Sequence, residues 1–146
     1  MEITSPKFQN GEHIPYQYTC DGVGVNPPIQ ISDVPEDTIS LVLIVEDPDA
    51  PVGMWVHWMI WNMPKDTKQI EEGRVPNGVI GLNSSSQNTW DPICPPSGEH
   101  RYFFKLFALD ITLNLEPLKT SRKDLYDAIE GHIIAQAELL GVYSKN

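Results

Sequence analysis

The sequence predicts a mainly β fold: a sandwich of antiparallel sheets with a Greek-key element and a C-terminal α-helix. Three observations predict it. Segments 39–45, 56–62 and 101–109 are short, rich in β-branched and aromatic residues, and either continuously apolar or alternating. Thirteen prolines in 146 residues exceed the usual share of about 5% and cut the chain into turns. One stretch alone, after Ser121, repeats apolar residues every three to four positions.

In chain order, Ile14–Tyr18 and Ile29–Ile31 are short strand candidates. Ile39-Ser40-Leu41-Val42-Leu43-Ile44-Val45 is nearly continuous, as a strand buried on both faces requires, and Asp47-Pro48 closes it. From Val56 to Asn62 the pattern alternates, with Val56, Trp58 and Ile60 on one side and His57, Met59 and Trp61 on the other. A weak strand is expected near Gly78–Leu82. Arg101–Leu109 is the clearest strand, Tyr102, Phe104 and Leu106 lying opposite Phe103, Lys105 and Phe107. Ser121-Arg122-Lys123-Asp124 then reads as a capping box with Asp in place of Glu. Leu125, Ile129, Ile133, Ala137 and Leu140 follow at helical spacing, with Gly141 placed as a C-cap. The predicted helix therefore runs to Leu140, although Gly131 inside it costs about 1 kcal/mol relative to Ala. The polar stretch Pro64–Gly73 and the long loop Val75–Pro96 connect these elements. No repeat or composition shift divides the chain, so one domain is expected over residues 1–146.

Composition excludes several classes of function. Apolar residues at 40% and charged residues at 21% suit a packed core rather than disorder. Ten Lys and Arg against 20 Asp and Glu give a net charge of −10, which opposes binding to nucleic acid or an anionic membrane. No apolar run is long enough to span a membrane. The first residues, Met1-Glu2-Ile3-Thr4-Ser5-Pro6, lack the pattern of a secretory leader. A cytoplasmic location is expected, with Cys20 and Cys94 as reduced thiols and a bridge between them as the alternative.

Three rigid motifs carry polar side chains at strand ends. Asp47-Pro48-Asp49-Ala50-Pro51 holds two carboxylates in a proline-stiffened turn, with Ala50-Pro51 as a candidate cis bond. Trp55-Val56-His57-Trp58 opens the next strand. If the strands are neighbours, His57 meets Asp47, and the carboxylate favours the imidazolium. Cys94-Pro95-Pro96-Ser97-Gly98-Glu99-His100-Arg101-Tyr102 brings a glycine-containing loop to the clearest strand. Successive N–H groups in such a loop can form an anion nest. Convergent ionisable groups at strand ends mark a binding pocket.

These motifs resemble the signature of the phosphatidylethanolamine-binding protein family, which includes the Raf kinase inhibitor protein. Asp-Pro-Asp-Ala-Pro at 47–51, Trp-x-His at 55–57 and Gly-x-His-Arg at 98–101 carry the resemblance. Thr19-Cys20-Asp21-Gly22 followed by Pro27-Pro28, and the short length, resemble its small prokaryotic branch. The resemblance implies a central antiparallel sheet packed on a smaller one, and a surface pocket for phosphate, a phosphorylated head group or acetate. Carried over by position, Asp47 lines the pocket, His57 and His100 flank the ligand as donors, and Pro51 and Pro95 shape the rim. Trp55 forms a wall, and Gly98 and Tyr102 close the far side. Asp49 and Arg101 act as scaffold. The chain departs from relatives at Trp90-Asp91-Pro92-Ile93, where a Tyr and glycines often stand.

The leading expectation is a non-catalytic, cofactor-free module that binds a small anion and regulates a kinase or other protein partner. No nucleophile lies beside a base, and Ser97 lacks a nucleophile elbow. The alternatives are an inhibitor of a serine protease and, behind it, a metal-dependent enzyme using Asp47, Asp49, His57 and His100. A homodimer is compatible with the resemblance.

Overall fold

The computed structural model describes residues 1–145. Its strands are β1 (Glu2–Thr4), β2 (Ile29–Ser32), β3 (Ser40–Asp47), β4 (Trp55–Pro64), β5 (Gln69–Ile70), β6 (Val79–Ile80), β7 (Glu99–Leu109) and β8 (Ile133–Ser144), with one helix, α1 (Arg122–Ile129). They form two antiparallel sheets, β1-β2-β5 and β6-β4-β3-β7-β8. The small sheet packs Ile3, Ile29, Ile31 and Ile70 onto Leu41, Leu43, Val45, Ile60 and Phe104 of the large one. On the opposite face of the large sheet, Leu125 and Ile129 of α1 cover Val42, Ile44, Trp61 and Phe107. β3 is therefore buried along both faces, as its continuous apolar run requires.

Four expectations need correction. The C-terminal helix stops at Ile129 rather than Leu140. Its capping box forms as read, with Ser121 and Asp124 each bonding the other's backbone. After Ile129, Glu130 leaves the helical region and Gly131 adopts φ +82°. Residues 133–144 then pair along the whole of β7 as β8. Ala137 fits both a helical and an alternating pattern. The alternation that packs on the core is Leu139, Gly141 and Tyr143, and the exposed edge of an eleven-residue β7 supplied the partner that decided between them. Gly141 is thus a strand residue lying beneath Ile14 and Phe8, not a cap.

Ile14–Tyr18 is not a strand. Tyr16–Tyr18 forms a 3-10 turn, Tyr18 N–H donating to the Pro15 carbonyl at 3.2 Å. The turn buries Ile14 and Tyr18 while leaving Tyr16 exposed. Ala50-Pro51 is trans, as are all peptide bonds among the described residues. Cys20 and Cys94 are joined as a disulfide, their Cα atoms 5.4 Å apart. The chain brings them together through a parallel bridge between Thr19 and Ile93, which neighbour the two cysteines. β1 and β5 lie in stretches that carried no strand signal.

Candidate functional site

Antiparallel pairing gathers three strand ends. The end of β3 lies between the start of β4, where Asp47 faces Trp55, and the start of β7, where Glu46 faces Phe103. The turns that follow β3 and precede β7 are the two proline-rich motifs, so the topology itself brings the three motifs together.

A β-bulge aims the first histidine. Pairing steps from Val45↔Trp58 to Glu46↔Val56, leaving His57 as the extra residue. Simple alternation would group Val56 with Trp58 and Ile60. Instead Val56 joins Met59 and Trp61 under α1, while His57 turns toward Trp90 and Tyr102, with ring centroids at 6.1 and 5.4 Å.

Between the three ends lies a cavity of about 410 Å³. Asp47, Pro51, Trp55, His57, Pro95, His100 and Tyr102 all line it. Gly98 does not; it sits in an exposed turn at φ +70°. Asp49 and Arg101 stand outside the cavity and tie the turn after β3 to β7. The Arg101 Nε and Nη2 donate to the two Asp49 oxygens, each at 2.9 Å, and its backbone N–H donates as well. These hydrogen bonds hold the Asp49 carboxyl down at about 2.

The imidazole partners differ from the expectation. His100, not His57, pairs with Asp47: its Nδ1 donates to Asp47 Oδ2 at 2.6 Å, with both side chains buried. The other Asp47 oxygen accepts the Asp49 N–H at 2.7 Å. His57 Nδ1 donates to the Asp91 carbonyl at 2.7 Å. At 4% exposure, the loss of water around His57 lowers its pKa. Asp91 and Asp47 partly offset this, but His57 is not the carboxylate-stabilised imidazolium that the strand neighbourhood suggested. Burial also pushes the Tyr102 hydroxyl well above its ordinary range, so it stays a neutral donor.

Asp91 is the residue that the motifs missed. One carboxylate oxygen accepts from Trp55 Nε1 and from Ser85 Oγ, each at 2.9 Å, and the Asp91 N–H donates to the His57 carbonyl. It thereby fixes a wall and a floor of the cavity together. A signal existed: Asp91-Pro92 repeats the Asp-Pro pattern of Asp47-Pro48, in a loop stiffened by further prolines.

Among the described residues, no three His, Cys, Asp or Glu side chains gather as metal ligands. The four donors proposed for a metal do not assemble, because Asp49 is turned to Arg101 and the His57 Nδ1 is spent on a carbonyl. Among the described residues, no Lys or Arg lines the cavity. Among the described residues, no helix is long and apolar enough to cross a membrane.

Comparison with known proteins agrees with the fold. A family model described as phosphatidylethanolamine-binding protein matches residues 4–144. A UPF0098 protein of Chlamydia trachomatis serovar D is 44% identical over the full length of both chains. One from Methanothermobacter thermautotrophicus is also 44% identical, with 99% of each chain covered. The crystal structure of the phosphatidylethanolamine-binding protein homolog CT736 from Chlamydia trachomatis matches with a TM-score of 0.95 at 43% identity, covering 99% of this chain and 97% of that one. That of Escherichia coli YbcL, described as a member of the mammalian PEBP family, matches at 0.91 and 28% identity, covering 99% and 98%.

Proposed function

The chain belongs to the phosphatidylethanolamine-binding protein family, and from that premise we propose that its cavity binds a small anion or phosphorylated head group without chemical turnover. One observation carries the reading. Both imidazoles donate their Nδ1–H to fixed acceptors, the Asp47 carboxylate and the Asp91 carbonyl. In each ring this leaves Nε2 as the nitrogen free for a ligand. With His57 neutral, Nε2 offers a lone pair to an anion, so binding must bring a proton, on the ring or on the ligand. Among the described residues the cavity holds no Lys or Arg to compensate, and the net charge of −10 opposes approach. Modest, proton-linked affinity follows. Around the polar floor, Pro51, Pro95, Pro96 and the 78%-exposed Val52 form an apolar collar. That collar supports a head group that continues into an apolar or peptide portion.

The test is an NMR titration with phosphate and phosphoethanolamine at pH 6 and pH 7.5. Shifts at His57, His100 and Asp91, with tighter binding at pH 6, are the expected result. No response at either pH sinks the reading, and equal affinity at both sinks its proton linkage.

A further inference from the structure

The Cys20–Cys94 disulfide sits on the rim of the cavity, which Cys94 lines, and both cysteines are exposed. The segments on either side of it are anchored by other bonds. Ile93, wholly buried, donates to the Tyr18 carbonyl and accepts from the Cys20 N–H, and Asp91 is bonded to His57. On the Cys20 side, the Tyr143 hydroxyl donates to Asp21 at 2.5 Å. Residues 94–98 differ. Among the described residues, no backbone or side-chain hydrogen bond reaches them, so beyond the packing of the buried Pro95 the disulfide is what ties them down before β7 begins. Pro95, in that segment, lines the cavity, and His100 follows two residues after it ends.

We propose that this disulfide is a thiol-operated clasp: intact, it holds rim residues 94–98 against the 18–21 segment, and its reduction frees the rim and weakens ligand binding. The proposal rests on the anion-binding reading for its ligand, not for its mechanics. An external thiolate attacks one exposed sulfur, forming a mixed disulfide and releasing the other cysteine as a thiol. The reductant's second thiolate then attacks the reductant's own sulfur in that mixed disulfide and expels the remaining protein cysteine as a thiol. Two electrons and two protons pass to Cys20 and Cys94, and the reductant leaves as its own disulfide. A dithiol reductant is the co-reactant required. Exposed bridges of this kind are the ones thiols reach.

The experiment compares oxidised protein, protein reduced with dithiothreitol, and the Cys20→Ser/Cys94→Ser double variant. Backbone 15N order parameters are followed at Ser97, Gly98 and Glu99, and inorganic phosphate is titrated at pH 6. Circular dichroism reports whether the sheets persist. The expected result is order parameters falling from about 0.85 to below about 0.6 at those amides with the core unchanged, and phosphate affinity lowered several-fold. The double variant should match the reduced protein, and reoxidation should restore the original state. Unchanged order parameters overturn the clasp, whatever phosphate does. Unfolding on reduction also overturns it and makes the bridge a stability staple. A loosened rim with no phosphate bound in any state supports the clasp and overturns the anion reading instead.

Discussion

His57 and His100 are held by different acceptors, and that difference sets how each responds to mutation and pH. His100 donates a hydrogen bond to the Asp47 carboxylate, which is only 3% exposed. His100→Ala strands that carboxylate in the interior and should destabilise the fold by about 3 kcal/mol. Adding Asp47→Asn should recover part of the loss. Urea midpoints at unchanged m-value would check both. His57 behaves otherwise. Its folded pKa lies below that of the unfolded chain, about 6.5. As pH falls past 6.5 the unfolded state takes up a proton that the native state refuses, so stability drops until the folded value is passed. His57→Gln should flatten the stability profile between pH 7 and pH 5 relative to the parent. Saturating phosphate should oppose the drop, because the ligand favours the protonated ring. A profile identical in parent and variant would contradict the lowered pKa.

Strands and turns were legible in the sequence where one local pattern dominated. β3 announced itself as a continuous apolar run, β7 as alternation, and the start of α1 as a capping box. The end of α1 did not. Residues 133–140 satisfy two periodicities, and only the open edge of β7 selects the strand. Gly141 records that choice. A Cβ there would run into the Ile14 side chain and come within 2.9 Å of Phe8, because the 8–14 segment crosses β8 at that point. Gly141→Ala should therefore cost about 1–3 kcal/mol by overpacking, read as a lowered thermal midpoint. As a helix cap, the same position would have been exposed and tolerant. The bulge at His57 was equally invisible, since alternation assigns that ring to the opposite face from where pairing with β3 sends it.

Over the whole molecule, two cores on either side of one sheet carry stability, and the disulfide adds to them across 74 residues of chain. A closed loop of that length contributes about 4 kcal/mol through the unfolded state. Reduction should lower the melting temperature while leaving the folded state populated at room temperature. Thiol titration should find no free cysteine in the native protein and two after reductive unfolding. The sequence by itself determined the strand-rich class and the three proline-stiffened motifs, because these depend on neighbours a few positions apart; which of their side chains share a cavity was implied by the family resemblance. Tertiary structure alone decided that Asp47 pairs with His100 rather than His57, and that Asp91 organises the wall. It also decided that Cys20 meets Cys94 and that the chain after Gly131 is a strand. Each of those outcomes depends on which distant segment supplies a hydrogen-bond partner or a free edge, and no local spacing encodes that choice.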